Sequence, residues 1–312
     1  MSTATRTEAE GPPNPFAAGC AYVDGAFVPA AEAKVSIFDA GFTRSDVTYD
    51  VVGVWHGAFF RLEDHLDRFL RSVDRLRMTL PVDRDGLRAV LHGCVARSGL
   101  RESYVAMICT RGTSPSGRRD PASYVNRFYA YAIPYVWIVP EEQQAQGTEL
   151  FIARTARRIP EASVDPTVKN FHWGDFVRGQ LEVDRPGVAV VLPDADGNIT
   201  EGPGYNVFAL VDGVFVSPER GVLEGVTRKA VLDVVAAAGI PARLGTLTTE
   251  QLRGAEEVFL TSTAGGVMPI VAVDGRTLGD GTPGPLTRRL RAAYWAAHDD
   301  PRWTTPVEYG AR

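Results

Sequence analysis

The sequence predicts an α+β protein built from two domains. Three observations carry that prediction: the length, the recurrence of strand–turn–strand patterns, and amphipathic helices set between them. At roughly 100–200 residues per domain, 312 residues make room for two cores. The strand patterns turn back through Asp-Gly or a related pair, so they read as antiparallel meanders and not as the strand–helix–strand rhythm of a doubly wound sheet.

In chain order, Met1 to Pro15 is polar and proline-rich, lacks the apolar core of a secretory signal, and reads as a flexible arm. Ala21 to Val28 is a hairpin pattern turning at Asp24-Gly25. Val52 to Phe60 is a second, turning at His56-Gly57. Leu62, Leu66, Phe69, Val73 and Leu76 then share one helical face, and Leu87, Val90, Leu91 and Cys94 repeat the spacing. Two prolines and a polar run in YAYAIPYVWIVPEEQQAQG place an interdomain linker at residues 136–146. It separates a smaller N-terminal domain, 1–135, from a larger C-terminal domain, 147–312. Phe176, Val177 and Leu181 mark a short helix, and Val188 to Val216 reads as a further meander. Thr227 to Ala238 is a helix opened by Thr and closed by Gly239. Leu286 to His298 forms the last one.

Composition excludes several function classes. The residues are 45% hydrophobic and 23% charged with a net charge of −5, so the chain has no general attraction to nucleic acid or anionic membrane. No apolar run approaches the ~20 residues that cross a bilayer, and a cytoplasmic protein is expected. Cys20, Cys94 and Cys109 lack paired spacing and sit among apolar neighbours, which fits core packing better than a disulfide framework or zinc. The five histidines show no HxxxH or HExxH spacing, and no GxSxG elbow is present. No metal site is expected.

Only three of the 33 basic residues are lysine: Lys34, Lys169 and Lys229. Lys169, flanked by Val168 and Phe171, fits an amine nucleophile in a desolvated place. A solvated loop lysine is the plainer reading of the same residue. Lys34 and Lys229 read as surface charges. Glu201, between a strand and a Gly-Pro-Gly turn, is a rigidly held carboxylate suited to a pyridine nitrogen, or simply a turn cap. Gly225-Val226-Thr227-Arg228 opens a helix, where free N–H groups and the helix dipole attract phosphate. Thr261 to Gly266 follows a strand and offers hydroxyls. Arg68 lies at the edge of its helix's apolar stripe, where it reaches inward at an anion or lays its stem on the core.

Together, FRLEDHLDR, VKNFHWGD, ITEGPGYNVF, LEGVTRK and TSTAGGVMP resemble, in order, the motifs of the fold-type IV pyridoxal-phosphate (PLP) enzymes. These include the branched-chain and D-amino-acid aminotransferases and aminodeoxychorismate lyase. The resemblance runs from about Ala21 to Tyr309 and implies PLP as cofactor. It implies Lys169 as the Schiff-base lysine and general base, and Glu201 as the partner of the pyridine nitrogen. Arg68, the backbone of Val226 and Thr227, and Ser262 or Thr263 would hold the phosphate, with Leu223 against the ring.

Within the family, TRSDVTYDV, VKNFHWGD and TAGGVMPI are most similar to the (R)-selective amine transaminases. The resemblance then implies transfer of an amino group from a chiral primary amine to a keto acid such as pyruvate. The strand Ser103-Tyr104-Val105-Ala106-Met107 carries no cation to grip an amino-acid carboxylate, which suits an amine without one. Tyr49, Val51, Tyr104, Trp173, Thr263 and Ala264 are the expected pocket lining. Arg118, Arg119 and Arg44 are the candidates for the keto-acid carboxylate. A homodimer with active sites at its interface is implied, and one of these arginines is expected to act across it. A branched-chain or D-amino-acid aminotransferase, a pyruvate-eliminating lyase and a non-enzymatic binder of a phosphorylated ligand are the alternatives.

Overall fold

A computed structural model of the protein describes Asn14 and residues 16–310, so the expected N-terminal arm lies almost wholly outside the described residues. The first half contributes β1 (Cys20–Val23), β2 (Ala26–Pro29), α1 (Ala40–Arg44), β3 (Val47–Trp55), β4 (Ala58–Phe60), α2 (Leu62–Arg75), α3 (Arg84–Ser98), β5 (Ser103–Thr113) and β6 (Val125–Pro134). After α4 (Glu141–Gln146), which occupies the end of the expected linker, come β7 (Thr148–Ile152), α5 (Gly174–Gln180), β8 (Ala189–Val191), β9 (Asn206–Val211), β10 (Val214–Pro218) and α6 (Val226–Ala237). The chain ends with β11 (Ala242–Gly245), α7 (Thr249–Arg253), β12 (Val258–Ser262), β13 (Gly266–Val273), β14 (Arg276–Thr277), α8 (Pro285–Ala296) and β15 (Thr304–Pro306).

The first sheet is antiparallel throughout, in the order β15-β4-β3-β5-β6-β1-β2. Alternation along its strands divides two faces. Val52, Val54, Val105, Met107 and Cys109 pack under Leu62, Leu66 and Phe69 of α2 and Leu87 and Leu91 of α3. The opposite face presents Tyr49, Val51, Tyr104, Ala106, Ile108 and Tyr131 to the rest of the protein. Strand β3 is therefore buried along nearly its whole length.

The second sheet has the order β11-β10-β9-β12-β13-β7-β8, with β14 beside β13. The hairpin expected between Asn206 and Pro218 forms as β9 and β10. The sheet is nevertheless mixed: β10–β11, β13–β7 and β7–β8 are parallel pairs. Parallel neighbours need long crossovers, and here α6 joins β10 to β11 while the segment bearing Lys169 and α5 joins β7 to β8. One face builds a core of Val207, Val258, Leu260 and Ile270. The other packs Phe208, Phe215 and Phe259 against α6 and α8.

The Asp-Gly signals were sound turn markers. Asp24-Gly25, His56-Gly57 and Asp212-Gly213 have both central residues at positive φ, the geometry that two-residue hairpins require, and so does Asp274-Gly275, which the sequence reading did not single out. The three cysteines are buried and unpaired.

A feature that no local pattern marks is the return of β15 to the first sheet beside β4. It closes an aromatic seam between the halves, where the His298 ring stacks on Phe60 at 3.8 Å and lies 4.9 Å from Trp295. Burial pushes the His298 imidazole down to about 4. The folded chain thus stays neutral there while the unfolded chain binds a proton below about pH 6.5, and stability falls as pH drops from about 6.5 to about 4. His298→Gln should remove ~2 kcal/mol of this pH dependence between about pH 7 and about pH 4.5. Urea unfolding at about pH 7 and about pH 4.5 reads the slope, and an unchanged slope in the variant would contradict the assignment.

Candidate active site

The segments singled out in the sequence converge on one cavity of about 380 Å³ between the two sheets, a volume suited to a small cofactor with its substrate. Lys169 is the only lysine among its lining residues. Its segment adds itself to the edge of β3: the Lys169 carbonyl accepts from the Tyr49 N–H at 3.1 Å and from the Thr48 hydroxyl at 2.8 Å. Asn170 pairs with Thr48 as an isolated bridge and caps its own turn through Val168 O and the His172 N–H. The side chain is half-buried, with Nζ 4.4 Å from the centre of the Tyr49 ring. Lys34 is exposed, and Lys229 is an exposed residue of α6 paired with Asp64.

Glu201 is buried at the cavity wall. The turn beyond it closes on itself between Gly202 and Tyr205. A Cβ on Gly202 would sit 2.1 Å from the Tyr205 ring, so only glycine lets the tyrosine fold back there. Glu201 Oε2 accepts from the Leu223 N–H at 2.9 Å and from Asn206 Nδ2 at 3.4 Å, and Oε1 accepts from Arg158 Nη2 at 3.1 Å. Arg158 also donates to Asp175 at 2.6 Å and lies 4.3 Å from the centre of the Phe176 ring. Burial pushes the Glu201 carboxyl above its ordinary value, and Arg158 and the Leu223 N–H pull it only partly back. One guanidinium thus serves two buried carboxylates. The deficit of one positive charge is what a protonated pyridine nitrogen would supply.

The anion end of the cavity lies where α2, α6 and the β12–β13 turn meet. Val226 and Thr227 line it at the start of α6, whose N-cap, Gly225, leaves the helix without a side-chain cap. A Cβ on Gly225 would meet Asn206 Oδ1 at 2.1 Å, so the glycine is what lets Asn206 brace this turn, donating to Leu223 O at 2.9 Å. Arg68 reaches in from α2 with its charge compensated: Asp50 accepts from its Nε and Nη2, each at 2.7 Å. Ser262, Thr263 and Leu223 also line the cavity. The Ser262 hydroxyl donates to Gly204 O at 2.8 Å, while the Thr261 hydroxyl is buried there without a partner among the described residues. Free helix N–H groups, a fixed guanidinium and an orphan hydroxyl together fit a phosphate.

Tyr49, Val51, Tyr104, Trp173 and Ala264 all line the same cavity. The three expected carboxylate-binding arginines do not line it within their own chain. Arg44 is exposed and donates to the Tyr124 hydroxyl at 2.8 Å, and Arg118 and Arg119 stand exposed in the loop before Pro121. Sequence reading missed Asp50, His65, Thr48, Arg158, Asp175 and Asn206. Arg158 is one of many arginines in the chain, and nothing local distinguishes it from its neighbour Arg157. Asp50, His65, Thr48 and Asp175 act through partners 15 or more positions away.

Similarity to known proteins points the same way. Residues 48–273 match the family described as amino-transferase class IV. The chain is 28% identical to a D-alanine aminotransferase of Bacillus licheniformis, covering 86% of this chain and 94% of the relative. Its fold superposes on a solved T.th. branched-chain amino acid aminotransferase with pyridoxamine 5′-phosphate at a TM-score of 0.83 and 28% identity, over 93% and 99% of the two chains. A branched-chain aminotransferase from Thermoproteus uzoniensis with norvaline superposes at 0.84 with 25% identity, again over 93% and 99%. With a cavity whose charges fit the cofactor and a match over most of the length, the chain belongs to the class IV aminotransferase family and is a pyridoxal-phosphate-dependent aminotransferase of fold type IV.

Proposed function

We propose that this aminotransferase is an (R)-selective amine transaminase, moving an amino group from a chiral primary amine to a keto acid such as pyruvate. The observation that carries the reading is the lack, among the described residues, of a free guanidinium on the cavity wall. Only two arginines line it, and each is already held by buried carboxylate, Arg68 by Asp50 and Arg158 by Asp175 and Glu201. The wall above them is Tyr49, Val51 and Tyr104, with Ala106, Ile108 and Tyr131 behind. A substrate carboxylate there would find no partner within its own chain and would lose hydration at a cost of several kcal/mol, whereas an amine without one needs no such partner.

Pyridoxal 5′-phosphate, when bound, supplies an aldehyde that condenses with amines and a protonated ring that withdraws electrons. In this reading Lys169 Nζ would hold the aldehyde carbon and would serve as general base for the substrate's Cα proton. Glu201 would hold the proton on the ring nitrogen, with Arg158 and the Leu223 N–H fixing its two oxygens. Arg68, the N–H groups of Val226 and Thr227, and the Thr263 hydroxyl would hold the phosphate, since the Ser262 hydroxyl already donates to Gly204. Leu223 would lie against the ring, and Trp173 and Ala264 would narrow the substrate side.

The same reading makes the protein a cytoplasmic homodimer. No described helix is long and apolar enough to cross a membrane. The segment before Arg44 exposes Ile37, Phe38 and Phe42, of which Phe38 is 78% accessible, an apolar surface that a second copy would cover. Arg44, Arg118 or Arg119 would then reach the keto-acid carboxylate across the interface. A second reading, favoured by the names of the relatives, is an aminotransferase of branched-chain or D-amino acids.

Single-turnover spectroscopy separates the two. (R)-1-phenylethylamine should convert the bound cofactor to its amino form roughly 100-fold faster than the (S)-amine, and faster than D-alanine or L-leucine. Faster reaction of either amino acid would overturn the amine reading and leave the family intact. Lys169→Ala should slow the wild-type conversion by a factor on the order of 10⁴. Sedimentation should give a dimer, and Phe38→Asp should shift it towards monomer.

A further inference from the structure

Asp50 does not line the cavity, yet it is completely buried in the middle of β3. Four hydrogen bonds converge on it. Oδ2 accepts from Arg68 Nε at 2.7 Å, and Oδ1 accepts from Arg68 Nη2 at 2.7 Å, from His65 Nδ1 at 2.8 Å and from the Val51 N–H at 2.7 Å. Burial alone would raise the Asp50 carboxyl. Arg68, and after it His65, outweigh that and hold it far below the ordinary carboxylate range. Burial also lowers the His65 imidazole and outweighs Asp50 there, so the ring is neutral and Nδ1 carries the shared proton.

The five N–H bonds of Arg68 divide between the protein and the cavity. Two form a fork onto Asp50, and one from Nη1 goes to Glu224 O at 3.2 Å. The remaining two, one on each terminal nitrogen, are left for the cavity that Arg68 lines. As charge, the arrangement is counterproductive. Asp50 cancels Arg68, so an approaching phosphate meets a pair with no net charge, and burying both ions has its own desolvation cost. As geometry, it makes sense. A guanidinium on a long, rotamer-rich stem is fixed at both ends and offers a flat two-pronged donor in one orientation.

We infer that Asp50 is the positioning residue of the phosphate site: it spends the charge of Arg68 to fix the direction of its two free N–H groups, and His65 locks Asp50 in turn. The inference rests on the placement of the cofactor phosphate against Arg68 and the start of α6. The amino form of the cofactor is where it matters most, because that form has no bond to Lys169 and is held by such contacts alone.

The test is therefore the binding of pyridoxamine 5′-phosphate to cofactor-free protein by calorimetry, with thermal unfolding alongside. The two accounts of Asp50 predict opposite signs. If Asp50 only screens charge, Asp50→Asn leaves Arg68 more positive and binding tightens. If it positions, binding weakens, by at least about tenfold. Arg68→Lys keeps the charge on a group that cannot span both oxygens of Asp50, and should weaken binding similarly. It keeps the inference refutable should Asp50→Asn fail to fold, because wild-type affinity here would show that no directed fork is needed. In an Arg68→Met background, Asp50→Asn should have no further effect, a non-additivity that general damage to the fold would not give. Wild-type or tighter affinity in Asp50→Asn, or wild-type affinity in Arg68→Lys, would overturn the inference. Wild-type affinity in Arg68→Met would instead overturn the placement of the phosphate, so the two failures are distinguishable.

Discussion

The site depends on one short stretch of backbone pairing. The Lys169 carbonyl is held by the Thr48 hydroxyl and the Tyr49 N–H, which joins a crossover of the second sheet to β3 in the first. Without that pairing the amine would hang on a long connection between β7 and β8, and its position relative to Glu201 and α6 would be set by loop entropy. With it, Lys169 is registered against β3 like an extra strand residue. The same strand then presents Tyr49 beneath Nζ, Val51 to the cavity, and Asp50 to the opposite side, where α2 brings Arg68. One nine-residue strand thus indexes the amine, one wall of the cavity and the guanidinium at its far end.

Buried charge is distributed unevenly around the cavity, and the imbalance is what fits the cofactor. At one end Asp50 and Arg68 cancel, leaving directed N–H groups and the start of α6 for an anion. At the other, Arg158 faces both Asp175 and Glu201, leaving a deficit that a protonated ring nitrogen would fill. In a low-dielectric interior neither arrangement is tolerable without well-placed partners. The remaining lining is largely apolar and aromatic, so ligand groups without a matching charge find few polar contacts there.

Much of this was legible locally. Lys169 stood out because the chain has so few lysines, and Glu201 because a Gly-Pro-Gly turn follows it. Val226 and Thr227 stood out because a helix start is a recognisable anion site, and the Asp-Gly pairs because only a few turn types suit them. Asp50, His65, Thr48, Arg158 and Asp175 were not legible. Asp50 and His65 are 15 positions apart, Arg158 and Glu201 are 43 apart, and Thr48 and Lys169 are 121 apart. No periodicity or spacing rule links residues at such separations. The parallel pairs of the second sheet and the return of β15 were hidden for the same reason.

The sequence by itself determined the local conformations and the chemical types. Alternation and three-and-four spacing made the strands and helices, positive-φ turns closed the hairpins, and five motifs in family order, holding one isolated lysine, one turn-held carboxylate and one open helix start, implied the cofactor by resemblance. The tertiary structure alone decided which charges meet. It set Arg68 on Asp50, Arg158 between two carboxylates, and Arg44, Arg118 and Arg119 away from the cavity of their own chain. The physical reason is that local preferences depend on neighbours along the chain. Pairing of buried ions instead depends on which groups lose water together, and only the packed fold fixes that.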